Sequence, residues 1–357
     1  MELLLETDTL LKLTSIIIFG LIAFGLAMAM YPPFIAQLKQ FKLGKQIRND
    51  TVTWETSTIF QKLHGHKVWT PTMWGAVILL VVAILIVLSV VIQDTGLINN
   101  SLISRQETYI LLFGFFSMWI LGLVDDVINL RATKWAKWMT VKMKFLWMFI
   151  FAGIISWRFY GKLGIDYINL WPLWGEVYVG WFMPVFSFFL ITWLVNAINF
   201  TDGLDGLAWG MMLIVLWVLG VMTFVSGWLL ATSLIGVVLW ATLAFLWFNI
   251  NPAKIFMGDS GSLAFGGLTA CLVMLLNIRI GIVIPFIVLM ILFWIEFGSS
   301  FFQILSKKIR KKKIFPMSPY HHYLEWKWIP EQTIVMRFWL IQWVLWMMVL
   351  LTLLYQL

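Results

Sequence analysis

The sequence predicts an all-α, polytopic membrane protein with about ten transmembrane helices and both termini outside. Three observations predict it. Of 357 residues, 61% are hydrophobic and 12% charged, with a mean hydropathy of +0.91, whereas a soluble domain is roughly half apolar and a quarter charged. Apolar runs long enough to cross a hydrocarbon core of about 30 Å recur along the whole chain between short polar connections, which favours helices over barrel strands. Basic residues gather in alternate connections. A single integral-membrane domain over 1–357 is the expectation.

The apolar runs place helices near 12–36, 72–92, 107–124, 143–160, 180–199, 207–225, 227–247, 262–276, 281–305 and 334–355. Met1 to Asp8 carries acids rather than a basic start, and no small-residue cleavage site follows, so the first run is expected to remain in the mature protein. The connection after the first run holds Lys39, Lys42, Lys45, Arg48, Lys62 and Lys67, and the one after the third holds Arg131, Lys134, Lys137 and Lys142. The connection after the ninth holds Lys307, Lys308 and Arg310 to Lys313, while the even-numbered ones carry only Arg105, Lys162 and Arg279. The positive-inside rule makes the odd-numbered connections cytoplasmic, near 37–71, 125–142, 200–206, 248–261 and 306–333. Topology and contact with anionic lipid then account for the net charge of +8, and no nucleic-acid partner is implied. The basic run from 307 to 313 requires no catalytic role. Cys271, the only cysteine, lies in an apolar run, which excludes an internal disulfide and a thiolate metal cluster.

Four polar clusters fall in or beside the cytoplasmic connections. Asp125 and Asp126 follow an uninterrupted apolar run. Acids at such a helix end either stop the span at the interface or bind cations and move protons. After the fifth run comes Asn196-Ala-Ile-Asn199-Phe-Thr-Asp202-Gly203-Leu-Asp205-Gly206. In a helical turn Asp202 and Asp205 would share a face, and the glycines would let backbone amides approach an anion. Helix capping alone would not need two Asp-Gly pairs.

The third cluster runs from Asn249 to Ser262 and contains Phe256-Met257-Gly258-Asp259. A carboxylate beside small residues at a helix N-terminus suits Mg²⁺ and phosphate, although an N-cap would look similar. Its Gly-Asp-Ser-Gly string matches the nucleophile region of trypsin-like proteases, a reading excluded by the all-β fold those enzymes require. The fourth cluster, Pro319-Tyr320-His321-His322-Tyr323-Leu324-Glu325, holds two of the chain's four histidines. Vicinal histidines point apart on most backbones, so contacts to phosphate oxygens are favoured over a shared metal. Together the clusters suggest Mg²⁺-dependent phosphoryl chemistry at the membrane surface; no Gly-x-x-x-x-Gly-Lys-Ser loop indicates ATP hydrolysis.

Asp125-Asp126, the Asn-Ala-Ile-Asn-Phe-Thr-Asp-Gly-Leu-Asp-Gly-Leu-Ala stretch and Phe256-Met257-Gly258-Asp259 resemble the signatures of the polyprenyl-phosphate sugar-1-phosphate transferases. Thr70-Pro71-Thr72-Met73, Pro330-Glu331 and Arg337-Phe338-Trp339 are similar to stretches of one branch, the phospho-N-acetylmuramoyl-pentapeptide transferase family, and the likeness spans nearly the whole chain. The resemblance implies transfer of phospho-N-acetylmuramoyl-pentapeptide from UDP to undecaprenyl phosphate, with Mg²⁺ as cofactor, in the bacterial cytoplasmic membrane with the site facing the cytoplasm. A homodimer is compatible with it.

By the same resemblance Asp125, Asp126, Asp259 and His322 are catalytic and Asp259 ligates the metal. Lys67, Thr72, Asn199, Asp202, Asp205, Asn249, Phe256, Gly258 and His321 bind substrate, with Phe256 stacking on uracil. The chain departs from the family where Tyr323 replaces a third histidine, Asn129 a lysine, Trp69 and Trp74 glycines, and Pro316 an arginine. A related transferase using UDP-N-acetylglucosamine is the alternative, and a membrane transporter the alternative of a different class.

Overall fold

The computed structural model describes residues 2–41, 70–72, 75–96, 98, 100–130 and 134–355. Lys67, Trp69 and Trp74 lie outside them. The helices are α1 (Glu2–Gln40), α2 (Gly75–Asp94), α3 (Gln106–Leu130), α4 (Lys134–Gly161), α5 (Met183–Thr201), α6 (Leu207–Val225), α7 (Leu229–Asn249), α8 (Gly258–Ile280), α9 (Val283–Leu289), α10 (Ile291–Arg310), α11 (Tyr320–Trp326) and α12 (Glu331–Leu354).

Among the described residues, eight helices are long and apolar enough to cross a membrane, or nine when the bent pair α9–α10 counts as one span. The sequence reading expects about ten. The difference is α4, whose 28 residues suffice in length but include Lys142, Lys144 and Arg158. The ninth expected span, 281–305, is broken at Met290, where α9 and α10 meet at 69°. The all-α expectation also misses a small antiparallel hairpin of β1 (Tyr167–Asn169) and β2 (Glu176–Tyr178). Its three-residue strands are too short to leave a periodic signal.

Helix α8 is the centre of the bundle, because every residue from Ser260 to Asn277 is buried. A helix apolar all round must be enclosed by others. Small residues allow that enclosure: a Cβ on Gly122 would collide with the Asp259 carbonyl, one on Gly267 with the Gly114 carbonyl, and one on Gly266 with the Val195 backbone. Close backbone approach of this kind gives dispersion contact where lipid offers no hydrophobic drive for helix association. The outer surface remains apolar, with Leu21, Val87, Trp157, Phe189 and Leu351 exposed, as a bilayer environment requires.

The two ends of α8 are used differently. At its C-terminal end the Asn277 side chain accepts from the Asn169 amide at 2.8 Å and donates to the Tyr167 carbonyl at 3.1 Å, which fastens the hairpin. At its N-terminal end, roughly 34 Å away for a helix of this length, residues of α3, α4 and α5 meet Asp259, while α7, α11 and α12 meet the loop that follows α5. All four polar clusters read from the sequence therefore meet at one end of the bundle.

Candidate active site

Asp126 begins the construction. Its Oδ1 accepts from the Asp259 amide at 3.0 Å and its Oδ2 from the Ser260 amide at 2.9 Å. These are among the first N–H groups of α8, which have no intrahelical partner. A carboxylate from α3 thus caps α8 across the helix interface and complements its positive end. Gly258 makes this approach feasible: its φ is +76°, and a Cβ there would press against Asp126 Oδ2 and Thr72 Oγ1. Thr72 is drawn in by the same strand of contacts, since the Phe256 amide donates to the Pro71 carbonyl at 2.8 Å and the Gly75 amide to the Met257 carbonyl at 3.4 Å.

With α8 fixed against α3, Asp125 and Asp259 come to face one cation. Lys144 Nζ donates to Asp125 Oδ2 at 3.0 Å and also to Asp259 Oδ2. The other Asp259 oxygen accepts from Asn199 Nδ2 at 2.8 Å, and the same amide nitrogen lies 2.8 Å from Ser262 Oγ. Residues from α3, α4, α5 and α8 therefore form one polar unit. Asp125 is 6% exposed, so its charge would be costly without the ammonium beside it. Lys144 is absent from the sequence-derived site. Its signal was present as a lysine just inside an apolar run, a position where an ionisable group is a functional candidate by default.

This arrangement fits a divalent cation. Two carboxylates, Asp125 and Asp259, converge on a single positive charge, the Lys144 ammonium. Among the described residues no three His, Cys, Asp or Glu side chains group to hold a metal. Mg²⁺ is commonly bound by one or two carboxylates, with substrate phosphates and water completing its octahedron.

The Asp202–Asp205 stretch is not a helical turn, and the two acids do not share a face. The chain leaves α5 at Thr201 and re-enters helix only at Leu207. Asp202 Oδ1 accepts from Trp209 Nε1 at 2.8 Å, whereas Asp205 Oδ2 accepts from Asn251 Nδ2 and from the Ala253 amide, each at 3.0 Å. The Asp205 amide donates to Glu331 Oε1 at 2.8 Å. Asp205 is thus a buried brace between the α5–α6 loop, the α7–α8 loop and α12. Asn249 is a second brace: its Oδ1 accepts from the Gly206 amide at 3.1 Å and its Nδ2 donates to the Ile255 carbonyl at 2.7 Å. Asp202, Gly203 and Phe256 are only partly buried and line the same end of the bundle.

The two histidines pair with different acids, but their rings do not point apart as their adjacency predicts: they meet edge to face with centroids 4.2 Å apart. The His321 amide lies 3.1 and 3.2 Å from the two Glu296 oxygens, and His321 Nδ1 lies 2.9 Å from Glu296 Oε2. Both side chains are fully buried. His321 Nε2 is buried without a hydrogen-bond partner and is aimed at Gly203, where a Cβ would overlap it. His322 Nδ1 lies 2.6 Å from Glu325 Oε2. Glu296 was also missed from sequence, although it is an acid inside an apolar run.

The family model for glycosyl transferase family 4 matches residues 108–277, the stretch carrying Asp125, Lys144, Asn199 and Asp259. The phospho-N-acetylmuramoyl-pentapeptide-transferase of Staphylococcus carnosus is 32% identical over 338 residues, covering 91% of this chain and 95% of the relative. Those of Staphylococcus epidermidis and Staphylococcus aureus strain JH9 are 32% identical over 336 and 335 residues, with the same coverage. With a third of its residues shared along almost its entire length, this chain belongs to the phospho-N-acetylmuramoyl-pentapeptide-transferase family.

Proposed function

We propose that this chain transfers phospho-N-acetylmuramoyl-pentapeptide from UDP to undecaprenyl phosphate, giving the first lipid-linked peptidoglycan precursor and UMP. The observation that carries the reading is the Asp125–Lys144–Asp259–Asn199 unit at one end of a membrane bundle, in a chain of this family. An oxygen of the lipid phosphate attacks the sugar-linked phosphorus, the bond from that phosphorus to the bridging oxygen breaks, and UMP leaves with the bond electrons. Both reactants are anions, so the site must first suppress their repulsion.

Lys144 supplies fixed positive charge, and Asn199 orients Asp259 through the 2.8 Å hydrogen bond. Asp125 receives or positions the lipid phosphate, and Phe256 offers a ring to the uracil. His321 Nε2 faces the loop that would hold the sugar phosphate. Asp259 and Asp125 would hold Mg²⁺, which when bound neutralises pyrophosphate oxygens and stabilises the leaving phosphate. The fold has ten membrane passes in this reading, α4 included, with both termini outside and the acids at the cytoplasmic face of the bacterial inner membrane, a reading supported by the basic residues that alternate along the sequence and by Lys142, two positions from Lys144 of the acid cluster.

The test is UMP release by purified protein with undecaprenyl phosphate and either UDP-N-acetylmuramoyl-pentapeptide or UDP-N-acetylglucosamine, with Mg²⁺ or with a chelator. Mg²⁺-dependent release with the pentapeptide donor alone is the expected result. Equal turnover of the N-acetylglucosamine donor would overturn the substrate assignment.

A further inference from the structure

Helix α10 is amphipathic with its polar side inward. Glu296, Ser300, Gln303 and Ser306 form a stripe at helical spacing, and all four are buried against the protein. The opposite face exposes Phe301, Phe302, Leu305 and Ile309, the last at 70%. On a water-facing helix the arrangement would be reversed. This polarity is stable when the surroundings are hydrocarbon, and the exposed face continues the apolar exterior of the bundle.

The chain after α10 is pinned rather than trailing. Gln303 Oε1 accepts from the Ile314 and Phe315 amides at 2.9 and 3.0 Å, and its Nε2 donates to the Phe315 carbonyl at 2.9 Å. Ser306 Oγ donates to the Lys312 carbonyl at 2.9 Å. Lys311 sits at φ +55°, a left-handed conformation costly for a residue with a Cβ and held here by these bonds. The turn keeps Lys308, Arg310, Lys311 and Lys312, all exposed, together at the tip of the apolar face. Four cations adjoining an outward hydrocarbon-compatible face match the two parts of an anionic lipid, a negative headgroup and its acyl chains.

We propose that the tip of α10 is a binding site for the headgroup of anionic phospholipid, with Phe301, Phe302, Leu305 and Ile309 in the acyl region of the same leaflet. The site is independent of the transfer reaction.

The experiment places a bimane fluorophore at Ile309→Cys in a Cys271→Ser chain, full length and reconstituted in phosphatidylcholine vesicles. These contain a small fraction of either phosphatidylglycerol or phosphatidylcholine bearing a nitroxide high on the acyl chain. Phosphatidylglycerol nitroxide is expected to quench several-fold more than the phosphatidylcholine probe at equal mole fraction. Lys308→Gln, Arg310→Gln, Lys311→Gln and Lys312→Gln combined should equalise the two probes, with helix content unchanged by circular dichroism. Equal quenching by both probes in the parent chain, or a preference that survives the four substitutions, would overturn the proposal. So would loss of the preference on adding millimolar inorganic phosphate, which would make the tip a free-anion site, or stronger quenching by aqueous iodide than by either lipid.

Discussion

The Glu296 carboxylate holds His321 at two points, the backbone N–H and Nδ1, while His321 Nε2 is left aimed at Gly203. The pair joins α10 to α11 inside the bundle, where water cannot replace either partner. Removing a buried acceptor leaves its donors unsatisfied, at about 1–3 kcal/mol. Glu296→Leu should therefore lower the thermal midpoint in detergent and abolish UMP release. Glu296→Gln keeps an acceptor and should fold, with kcat reduced about tenfold or more and the donor KM little changed. Unaltered kcat in Glu296→Gln would show that the carboxylate does not position the ring for turnover.

Gly203→Ala tests the same alignment from the other side. Its Cβ would occupy the space of His321 Nε2, so the imidazole must swing away from the loop. Turnover should fall at least tenfold while the thermal midpoint changes by only a few degrees, because Gly203 lies in a loop outside the helix packing. Wild-type turnover would remove His321 from the site.

Lys144→Gln leaves Asp125 and Asp259 facing each other without the ammonium between them. Loss of one preorganised charge partner typically reduces kcat by about 10²–10³. The thermal midpoint should drop in a chelator and recover in millimolar Mg²⁺ by more than the parent does, since a divalent cation would then be the nearest charge left to offset the two carboxylates. A substitution without effect on either quantity would leave Lys144 as an ordinary interfacial lysine.

Asp126 and Asp259 are both acids of the reading, yet their surroundings separate them. Asp126 spends its oxygens on α8 amides, whereas Asp259 engages Lys144 and Asn199. Asp126→Ala should destabilise the fold by about 1–2 kcal/mol, the range for loss of a helix cap. Asp259→Ala should keep the parent melting behaviour within a few degrees in chelator and show no detectable UMP release. The reverse pattern would exchange the two roles.

Composition and run length were enough to place this chain in a bilayer as a helical bundle, because hydrophobic length is a local property of sequence. The alternation of basic connections likewise brought the Asp125, Asp202, Asp259 and His321 clusters to one side, and the bundle gathers them at one end. Periodicity did not reveal the break at Met290, which leaves the apolar run continuous, or the hairpin, whose strands have three residues each.

What each polar residue does was decided only in three dimensions. Asp205 and Asn249, expected as substrate contacts, also brace the loops of the site, while Lys144 and Glu296, inside apolar runs, are partners of Asp125 and Asp259 and of His321. A side chain's hydrogen bonds depend on groups brought near it by helices distant in the chain: Asp259 meets Asn199 across 60 positions and Lys144 across 115. Such pairings are set by how small residues let helices approach, and no stretch of sequence around a single residue contains that information.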